Sequence, residues 1–246
     1  MGMRLAKFAA VAILLPIAIE GCVDGALTWP ESWSRADGSS TGALPPAATV
    51  KEPVVQVWSA RTGRWKGLVA THSWIVIKDE GANQWRRYDV VGWGAPVRMN
   101  NYAPDARWYG NPPGVIAELR GPEAAAAIPA IDAAILSYPW REPGTYTVWP
   151  GPNSNTIVQH AIAPVPELAG RLPPTAIGKD YRGLDSLVGA TPSGTGVQIG
   201  AWGLLGVTVA WVEGFELNVG GLVLGFDLRR PALKLPGIGR VGMDPA

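Results

Sequence analysis

The sequence of 246 residues has few of the side chains on which many common sites depend, since it contains one cysteine and two histidines. A structural zinc site needs four Cys or His ligands and a disulfide needs two cysteines, so both are excluded. Lys and Arg number 21 against 20 Asp and Glu, and charged residues make up 17% of the chain. This near balance excludes a basic nucleic-acid binder, and we expect neither a cofactor nor a metal.

Glycine and proline are abundant, with 31 and 23 residues. So many turn-forming residues favour short strands over a bundle of long helices. Twelve Trp stand against three Phe. We interpret the scattered Trp as core and interface rings, because one end of the indole tolerates water.

Residues 1–22 have the layout of an export signal or membrane anchor. Two basic residues precede an apolar run, residues 8–19, which is shorter than the roughly 20 residues that a spanning helix needs. Cys22 follows, and residues 19–22 resemble the lipoprotein cleavage box of bacteria, except that Glu20 is acidic. Cys22 is therefore lipidated, follows an uncleaved anchor, or is a plain thiol. The first two alternatives place the protein outside the cytoplasm, attached to a membrane.

Three regions follow this segment. Residues 23–53 are rich in Pro, Gly and Ser and predict a mostly irregular leader, whose Trp29 and Trp33 either dock it or lie at lipid headgroups. Residues 54–186 predict an α+β core, and residues 187–246 a β-rich C-terminal extension.

The core has the pattern of an antiparallel sheet with one or two packed helices. β-Branched and aromatic runs bounded by turn residues predict its strands, and a Pro at the first turn marks the first helix, which Pro129 should kink or split. A four-residue second turn places His72 opposite Asp89. The predicted strands are 54–58, 73–77, 88–91 and 145–149, the turns 61–64 and 79–82, the loop 94–114, and the helices 122–138 and 155–163.

The extension is apolar and rich in Gly between residues 197 and 228. Gly is costly inside a helix but useful in turns, so hairpins are expected, with turns near 213–214 and 220–221. A membrane-inserted segment over 197–228 is the alternative, and one continuous helix there would favour it.

One group of residues could carry chemistry. Ser154 stands at the start of the short helix, where N–H groups and the helix dipole stabilise an anion, and His72 begins a strand. Asp89 could hold the His72 ring in one tautomer. The alternatives are that the Pro-Asn-Ser-Asn corner with Ser154 is only a capping turn, that His72 is a strand histidine bonded to backbone, and that Asp89 is a solvated edge residue or a carboxylate that bonds a loop.

Five segments together form a recognisable pattern. They are His72-Ser73-Trp74-Ile75-Val76, Arg87-Tyr88-Asp89-Val90-Val91-Gly92-Trp93-Gly94, Trp108-Tyr109-Gly110-Asn111, Trp149-Pro150-Gly151-Pro152-Asn153-Ser154-Asn155-Thr156 and Pro173-Pro174-Thr175-Ala176-Ile177-Gly178-Lys179-Asp180. This pattern resembles a bacterial family, the domain of unknown function 3750. The likeness runs from about Val54 to Gly242 and implies no established activity.

The same residues are more distantly similar to the circularly permuted papain-like fold of lecithin:retinol acyltransferases and PPPDE peptidases, whose nucleophile lies in an Asn-Cys-Asn-x-Phe motif. That likeness puts His72 at the base position and Ser154 at the nucleophile position, between Asn153 and Asn155. Ser154 replaces the thiol, and Ile157 replaces the aromatic residue. Because a hydroxyl is far less ionised than a thiol, such a site is either dependent on His72 for proton removal or inactive.

Two classes of function are compatible with these patterns. The first is a hydrolase or acyltransferase of the cell envelope that acts on amide or ester bonds, with Ser154 as nucleophile, His72 as base, Asp89 as orienting group and N–H groups near Asn155 as the oxyanion site. The second is a non-catalytic envelope protein that binds a small molecule or peptide, or is only structural. Both classes have a membrane surface as partner and no nucleic acid.

Overall fold

The computed structural model describes residues 2–23 and 28–244, within which two antiparallel sheets and three α-helices make an α+β fold, as predicted. The helices are α1 (Gly2–Val23), α2 (Gly121–Leu136) and α3 (Ser154–Ile162). The strands of the first sheet are β1 (Val54–Arg61), β2 (Thr71–Lys78), β3 (Arg86–Val90), β4 (Val97–Met99) and β5 (Gly114–Arg120). Those of the second are β6 (Val188–Ala190), β7 (Gly196–Ala201), β8 (Leu205–Ala210), β9 (Gly214–Val219), β10 (Leu222–Asp227), β11 (Ala232–Leu235) and β12 (Gly239–Gly242).

The first sheet has the order β4-β3-β2-β1-β5, and both of its faces are covered. Alternate residues of a strand point to opposite faces, so β2 contributes Ile75 and Ile77 to a core with α2 and α3, and His72 and Trp74 to a second, aromatic core. Burial on both faces explains why β1 and β2 consist almost entirely of apolar, β-branched and aromatic residues.

Only some of the Trp residues lie in the core. Trp58, Trp74 and Trp108 are buried in the aromatic cluster beside β1 and β2. The expectation that the scattered Trp are core rings is wrong for those that are exposed, which are Trp29, Trp33, Trp65, Trp93, Trp149, Trp202 and Trp211.

The predicted helices are present. Pro129 lies inside α2 without splitting it, and Ile128, Ile131 and Ile135 on one face of α2 are buried against the sheet. α3 begins at Ser154 and ends before Pro164.

The register of the second hairpin differs from the prediction. Ile75 pairs with Tyr88 and Ile77 with Arg86, a shift of two residues that sets Asp89 level with Trp74 instead of His72. The connection between β2 and β3 spans residues 79–85 and is longer than the predicted four-residue turn. Because loop length fixes the register of a hairpin, the longer loop accounts for the shift. A leader residue holds this loop, since Gly81 N–H donates to the Lys51 carbonyl at 3.0 Å.

Three other details of the core were predicted wrongly. The first hairpin connection is also longer than expected, because a 3-10 turn (Arg64–Leu68) is inserted into it. The predicted loop 94–114 contains β4 and leads into β5. The predicted strand 145–149 is irregular, and the Thr145 hydroxyl donates to the carbonyl groups of Trp140 and Glu142.

The N-terminal helix α1 contains the apolar run predicted as an export signal. Near its end Glu20 forms an ion pair with Arg61 of β1, and Cys22 is exposed with a free thiol. Among the described residues, no helix has both the length and the apolar character that crossing a bilayer requires.

The leader is mostly irregular where it is described, with two 3-10 turns in residues 28–53; residues 24–27 of the predicted leader lie outside the described part. Trp33 docks it, because its ring lies edge-on to Tyr109 at 4.5 Å with Lys66 Nζ 4.7 Å from the ring centre. Trp29 stays 64% exposed.

The extension forms the second sheet, an antiparallel meander in the order β12-β11-β10-β9-β8-β7-β6. The expected hairpins over 197–228 are therefore confirmed. Gly220 and Gly221 form the predicted β9–β10 turn with φ of +64° and +82°, a conformation that glycine adopts without a steric penalty.

The inner face of this sheet is held to the core by buried ion pairs. Lys179 Nζ, in the loop after α3, lies 2.9 Å from Asp180 Oδ1 and 2.6 Å from Glu216 Oε2 of β9. Lys234 of β11 bonds the other oxygen of Glu216, and Gln198 Nε2 of β7 donates to Asp180 Oδ1 at 3.0 Å. Two cations and two carboxylates thus balance one another in the interior, which offsets the cost of removing them from water.

Removal of the Glu216 charge should destabilise the fold strongly. Glu216→Gln leaves Lys179 and Lys234 buried with one carboxylate between them, so we expect the free energy of unfolding to fall by about 3–5 kcal/mol in chemical denaturation. The same substitution at Glu31, whose ion pair with Arg35 is exposed, is the control and should cost at most about 0.5 kcal/mol.

The acid dependence of stability should identify the same group. Burial by itself raises the pKa of Glu216, but the charges of and hydrogen bonds from Lys179 and Lys234 outweigh it and lower the pKa to about 2. A carboxylate with a lowered pKa stabilises the fold above its unfolded pKa, and that stability is lost as the pH falls toward the folded value. The wild type should therefore lose more stability than Glu216→Gln between about pH 4.5 and 2; equal losses would contradict the assignment.

Candidate active site

The start of α3 is organised by Asn153. Its Oδ1 accepts a hydrogen bond from Asn155 N–H at 3.0 Å, and its own N–H donates to Thr156 Oγ1 at 3.0 Å, which makes a capping box. Asn153 Nδ2 donates to the carbonyl groups of Val148 and Ile177. Asn153, and not Ser154, is therefore the helix cap.

Ser154 is the first residue of α3, and its polar groups are unused. Neither its hydroxyl nor its N–H makes a hydrogen bond with another described residue, although the side chain is 4% exposed. Ser154 lines a cavity. The Asn-Ser-Asn corner is thus a capping turn, as the alternative to a catalytic role states, but Asn153 and not Ser154 is the capping residue. The Ser154 side chain is left available to a ligand.

Asn155 joins α3 to the strand that carries His72. Its Oδ1 accepts from Ser73 N–H at 3.0 Å, and its Nδ2 donates to the carbonyl groups of Thr71 at 2.9 Å and Ile177 at 2.8 Å. The amide is buried and bonds the residue on each side of His72. Because Ser154 precedes Asn155, this clamp sets the position of Ser154 relative to His72.

Ser154 and His72 line one cavity of about 860 Å³. Six Trp and Tyr rings contribute to its wall, including Trp108 and Tyr146 of the core and Trp33 of the leader. The cavity is therefore completed by a segment outside the first sheet. Such a concave, mostly apolar site with few polar groups is typical of small-molecule binding.

His72 is buried and neutral. Its ring stacks on Trp108 with centroids 3.6 Å apart and planes at 5°, and it is 3% exposed. Burial, together with the charge of Arg87, lowers the pKa of His72 well below its ordinary value. Its Nε2 is buried without a hydrogen-bond partner, and no hydrogen bond joins it to Ser154 in this structure. The ring is thus in the unprotonated form that a general base requires.

Asp89 does not contact His72. Arg87 lies two residues earlier on β3 and therefore on the same face of the sheet. Its Nε donates to Asp89 Oδ2 at 3.1 Å, and both side chains are fully buried. The Arg87 guanidinium lies 4.1 Å from the centre of the Trp74 ring. Asp89 is therefore part of a buried ion pair beneath the aromatic core and is not a solvated edge residue.

The structure thus brings four of the predicted residues, His72, Asn153, Ser154 and Asn155, to one cavity, and places Asp89 and Cys22 elsewhere. Trp33 and Trp108 were missed as site residues. The Trp108-Tyr109-Gly110-Asn111 turn was visible in the sequence, but only the fold shows that it covers His72. Within residues 2–23 and 28–244 no group of three or more His, Cys, Asp or Glu side chains could hold a metal ion.

Comparison with known families agrees with this core. The model of the family described as "Protein of unknown function (DUF3750)" matches residues 52–181, which is more than half of the chain. The chain belongs to this family. The match includes every residue of the cavity wall that the core supplies and stops before the second sheet, so it is shorter than the likeness to Gly242 expected above. No curated protein and no solved structure matches the chain significantly.

The clamp can be tested by Asn155→Asp. A carboxylate would face the carbonyl oxygens of Thr71 and Ile177 in place of the two N–H donations, so we expect a loss of about 3 kcal/mol or more in the free energy of unfolding. Asn101→Asp, the same change at an exposed side chain, should alter stability by less than about 0.5 kcal/mol. Equal effects of the two substitutions would mean that the clamp carries no structural role.

Proposed function

We propose that the protein is a hydrolase or acyltransferase that attacks amide or ester bonds, with Ser154 as nucleophile and His72 as general base. The observation that carries the proposal is the meeting of an unused hydroxyl at a helix N-terminus and a neutral imidazole at one cavity. The Asn155 clamp supports it, since catalysis requires that the two groups keep a set position.

The reaction follows from these groups. Ser154 Oγ attacks the carbonyl carbon of the substrate while His72 accepts the hydroxyl proton. The negative charge that develops on the carbonyl oxygen is stabilised by a free N–H and the dipole at the start of α3. His72 then protonates the leaving amine or alcohol, and water or an acceptor alcohol or amine releases the acyl group from Ser154.

The oxyanion donor is Ser154 N–H. The N–H of Asn155, which the sequence suggested, is already donated to Asn153 Oδ1 at 3.0 Å. The N–H groups of Thr156 and Ile157 bond the Asn153 carbonyl. Ser154 N–H is therefore the donor that the capping box leaves open at the first turn.

His72 works in this proposal as one half of a dyad. Asp89 bonds Arg87 and supplies no acid partner to His72, so the stack on Trp108 orients the ring instead. The aromatic cavity wall favours a substrate with an apolar acyl or aromatic group next to the scissile bond.

A second candidate is a binding protein without catalysis. It is favoured by the missing contact between Asp89 and His72 and by the missing hydrogen bond between His72 and Ser154. In that case the same cavity takes an apolar or aromatic small molecule or peptide side chain, and Ser154 donates one hydrogen bond to it.

A fluorophosphonate probe, which labels activated serines, separates the two candidates. We expect the wild type to be labelled at Ser154, and both Ser154→Ala and His72→Ala to react at least about 10³-fold more slowly. Ser137→Ala changes an exposed serine and should react like the wild type. Because the pKa of His72 lies well below 6.5, the rate should still be at its plateau at pH 6.5 and fall only in more acidic solution.

A thiol at position 154 gives an independent readout. In a Cys22→Ser background, Ser154→Cys should react with iodoacetamide at pH 6 at least about tenfold faster than Ser137→Cys, since a helix N-terminus and a histidine lower a thiol pKa. His72→Ala should remove the difference. Two results together would contradict the proposed catalysis: no fluorophosphonate labelling of the wild type, and a thiol at position 154 that reacts no faster than the one at position 137. The second candidate, a binding protein, would then remain.

We further propose that the protein is exported and attached to a membrane through residues 1–22. The apolar run before Cys22 and the exposure of Cys22 support this location. Lipidation of Cys22 would remove α1 and its ion pair between Glu20 and Arg61, whereas an uncleaved anchor would keep both.

Fractionation of cells should find the full-length protein with the membranes. Cys22→Ala should release it if lipid is attached there and should leave it bound if α1 is an uncleaved anchor. Wild-type protein found only in the cytoplasm, with Met1 retained, would contradict the proposed location.

A further inference from the structure

A second cavity, of about 420 Å³, lies where the core meets the second sheet. The core contributes residues of β5 and the loop of residues 170–174, and the second sheet contributes the β10–β11 turn and residues of β11 and β12. None of its lining residues lines the cavity of Ser154 and His72. It is therefore a separate site, which the proposed catalysis does not use.

Positive charge dominates the lining of this second cavity. Five basic side chains line it: Arg171, Arg229, Arg230, Lys234 and Arg240. The lining also includes two carboxylates, Asp227 and Asp244. A cavity with such an excess of cationic groups attracts an anionic ligand.

Two of the five basic side chains have an acidic partner. Lys234 pairs with Glu216, and Arg240 Nη2 lies 3.0 Å from Asp227 Oδ2. The other oxygen of Asp227, Oδ1, accepts a backbone N–H at 3.1 Å. No carboxylate that the structure describes pairs with the remaining three guanidinium groups, which are those of Arg171, Arg229 and Arg230.

Arg171 presents its two terminal nitrogens without an internal partner. Its Nε donates to the Glu167 carbonyl at 3.1 Å, and the terminal nitrogens make no hydrogen bond within the described part of the chain. Burial lowers the pKa of Arg171, and the charges of Arg229, Arg230 and Arg240 lower it further. These guanidinium groups are thus close enough to repel one another, and an anion between them would relieve the repulsion.

Three guanidinium groups around one cavity suit a phosphate better than a carboxylate. A phosphate monoester carries a charge of roughly −1.5 to −2 near neutral pH and has three acceptor oxygens, whereas a carboxylate carries one charge and two oxygens in one plane. Arg binds phosphate through pairs of parallel N–H donations. Other parts of the wall are apolar and suit an organic group attached to the phosphate: Val115, Ile116, Pro173 and Pro174.

We propose that this second cavity binds the phosphate group of an organic phosphate through Arg171, Arg229 and Arg230. A small phosphomonoester and a phospholipid headgroup both offer this chemistry. The family match ends at residue 181, so the core contributes Arg171 and the extension contributes the other two arginines. The extension therefore completes a binding site, and this role does not depend on catalysis by Ser154.

Calorimetric titration of the full chain with butyl phosphate tests the site, and pentanoate is the matched carboxylate. We expect saturable binding of butyl phosphate that is at least about tenfold tighter than that of pentanoate. Arg229→Gln combined with Arg230→Gln should raise the Kd for butyl phosphate at least about tenfold, since charge-assisted hydrogen bonds are lost. No hydrogen bond between described residues uses either of these two guanidinium groups, so the variant should keep the melting temperature of the wild type.

A control variant separates the cavity from overall charge. Arg35→Gln combined with Arg141→Gln removes the same charge from two exposed arginines outside the cavity and should change the Kd by less than about twofold. The proposal is overturned if butyl phosphate does not bind saturably, if pentanoate binds equally well, or if the two double variants lose affinity equally.

Vesicles distinguish the two sources of phosphate. Phosphatidylcholine vesicles with phosphatidic acid are added before the titration, and vesicles of phosphatidylcholine alone are the reference. If the vesicles with phosphatidic acid block butyl phosphate binding and the reference vesicles do not, the ligand is a lipid headgroup. If neither blocks it, the cavity takes a small phosphomonoester from solution.

Discussion

The position of Ser154 relative to His72 depends on the buried amide of Asn155. It bonds the backbone on both sides of His72 and a carbonyl in the loop after α3, and thereby ties a helix, a strand and a loop together. A buried amide without hydrogen-bond partners would destabilise the fold by more than one hydrogen bond stabilises it. The helix, the strand and the loop are therefore held in the arrangement that satisfies the Asn155 amide. The position of Ser154 follows from that arrangement, since it is the neighbour of Asn155 in the first turn of α3.

The environment of His72 has two opposing consequences for a serine nucleophile. Burial and the charge of Arg87 lower the pKa of His72, which favours the unprotonated ring that a base requires. The same lowered pKa weakens its pull on that proton, and Asp89 is bonded to Arg87 and cannot strengthen it. Stabilisation of the developing oxyanion at the start of α3 must therefore supply a large part of any rate acceleration. A weakly activated dyad of this kind suits an ester or an activated acyl group better than an unactivated amide.

Local patterns predicted much of the fold, and distant contacts explain what they missed. The runs of β-branched and aromatic residues in β1 and β2, the Pro at the start of α2 and the Asn-Ser-Asn corner of α3 are short-range signals, and each element appears where it was expected. The register of β3 depends on a loop held by Lys51, which no local pattern reports. The candidate site divides in the same way. The sequence predicted the residues at the start of α3 and on β2, but it did not predict Trp33 and Trp108, whose rings reach the cavity from segments far away in sequence.

The second sheet shows the same limit in another form. Glycines at the turns predicted its hairpins, but neither they nor the alternation of side chains along a strand says which face is buried. Lys179 and Asp180 determine which face is buried. They form an ion pair that faces the sheet, and the face with Glu216 and Lys234 provides the charges that pair with it. The match to the family ends at residue 181, directly after this pair. The core therefore supplies charges to which the extension binds. The strands of the second sheet turn their apolar side chains outward because their buried polar side chains have partners in the core.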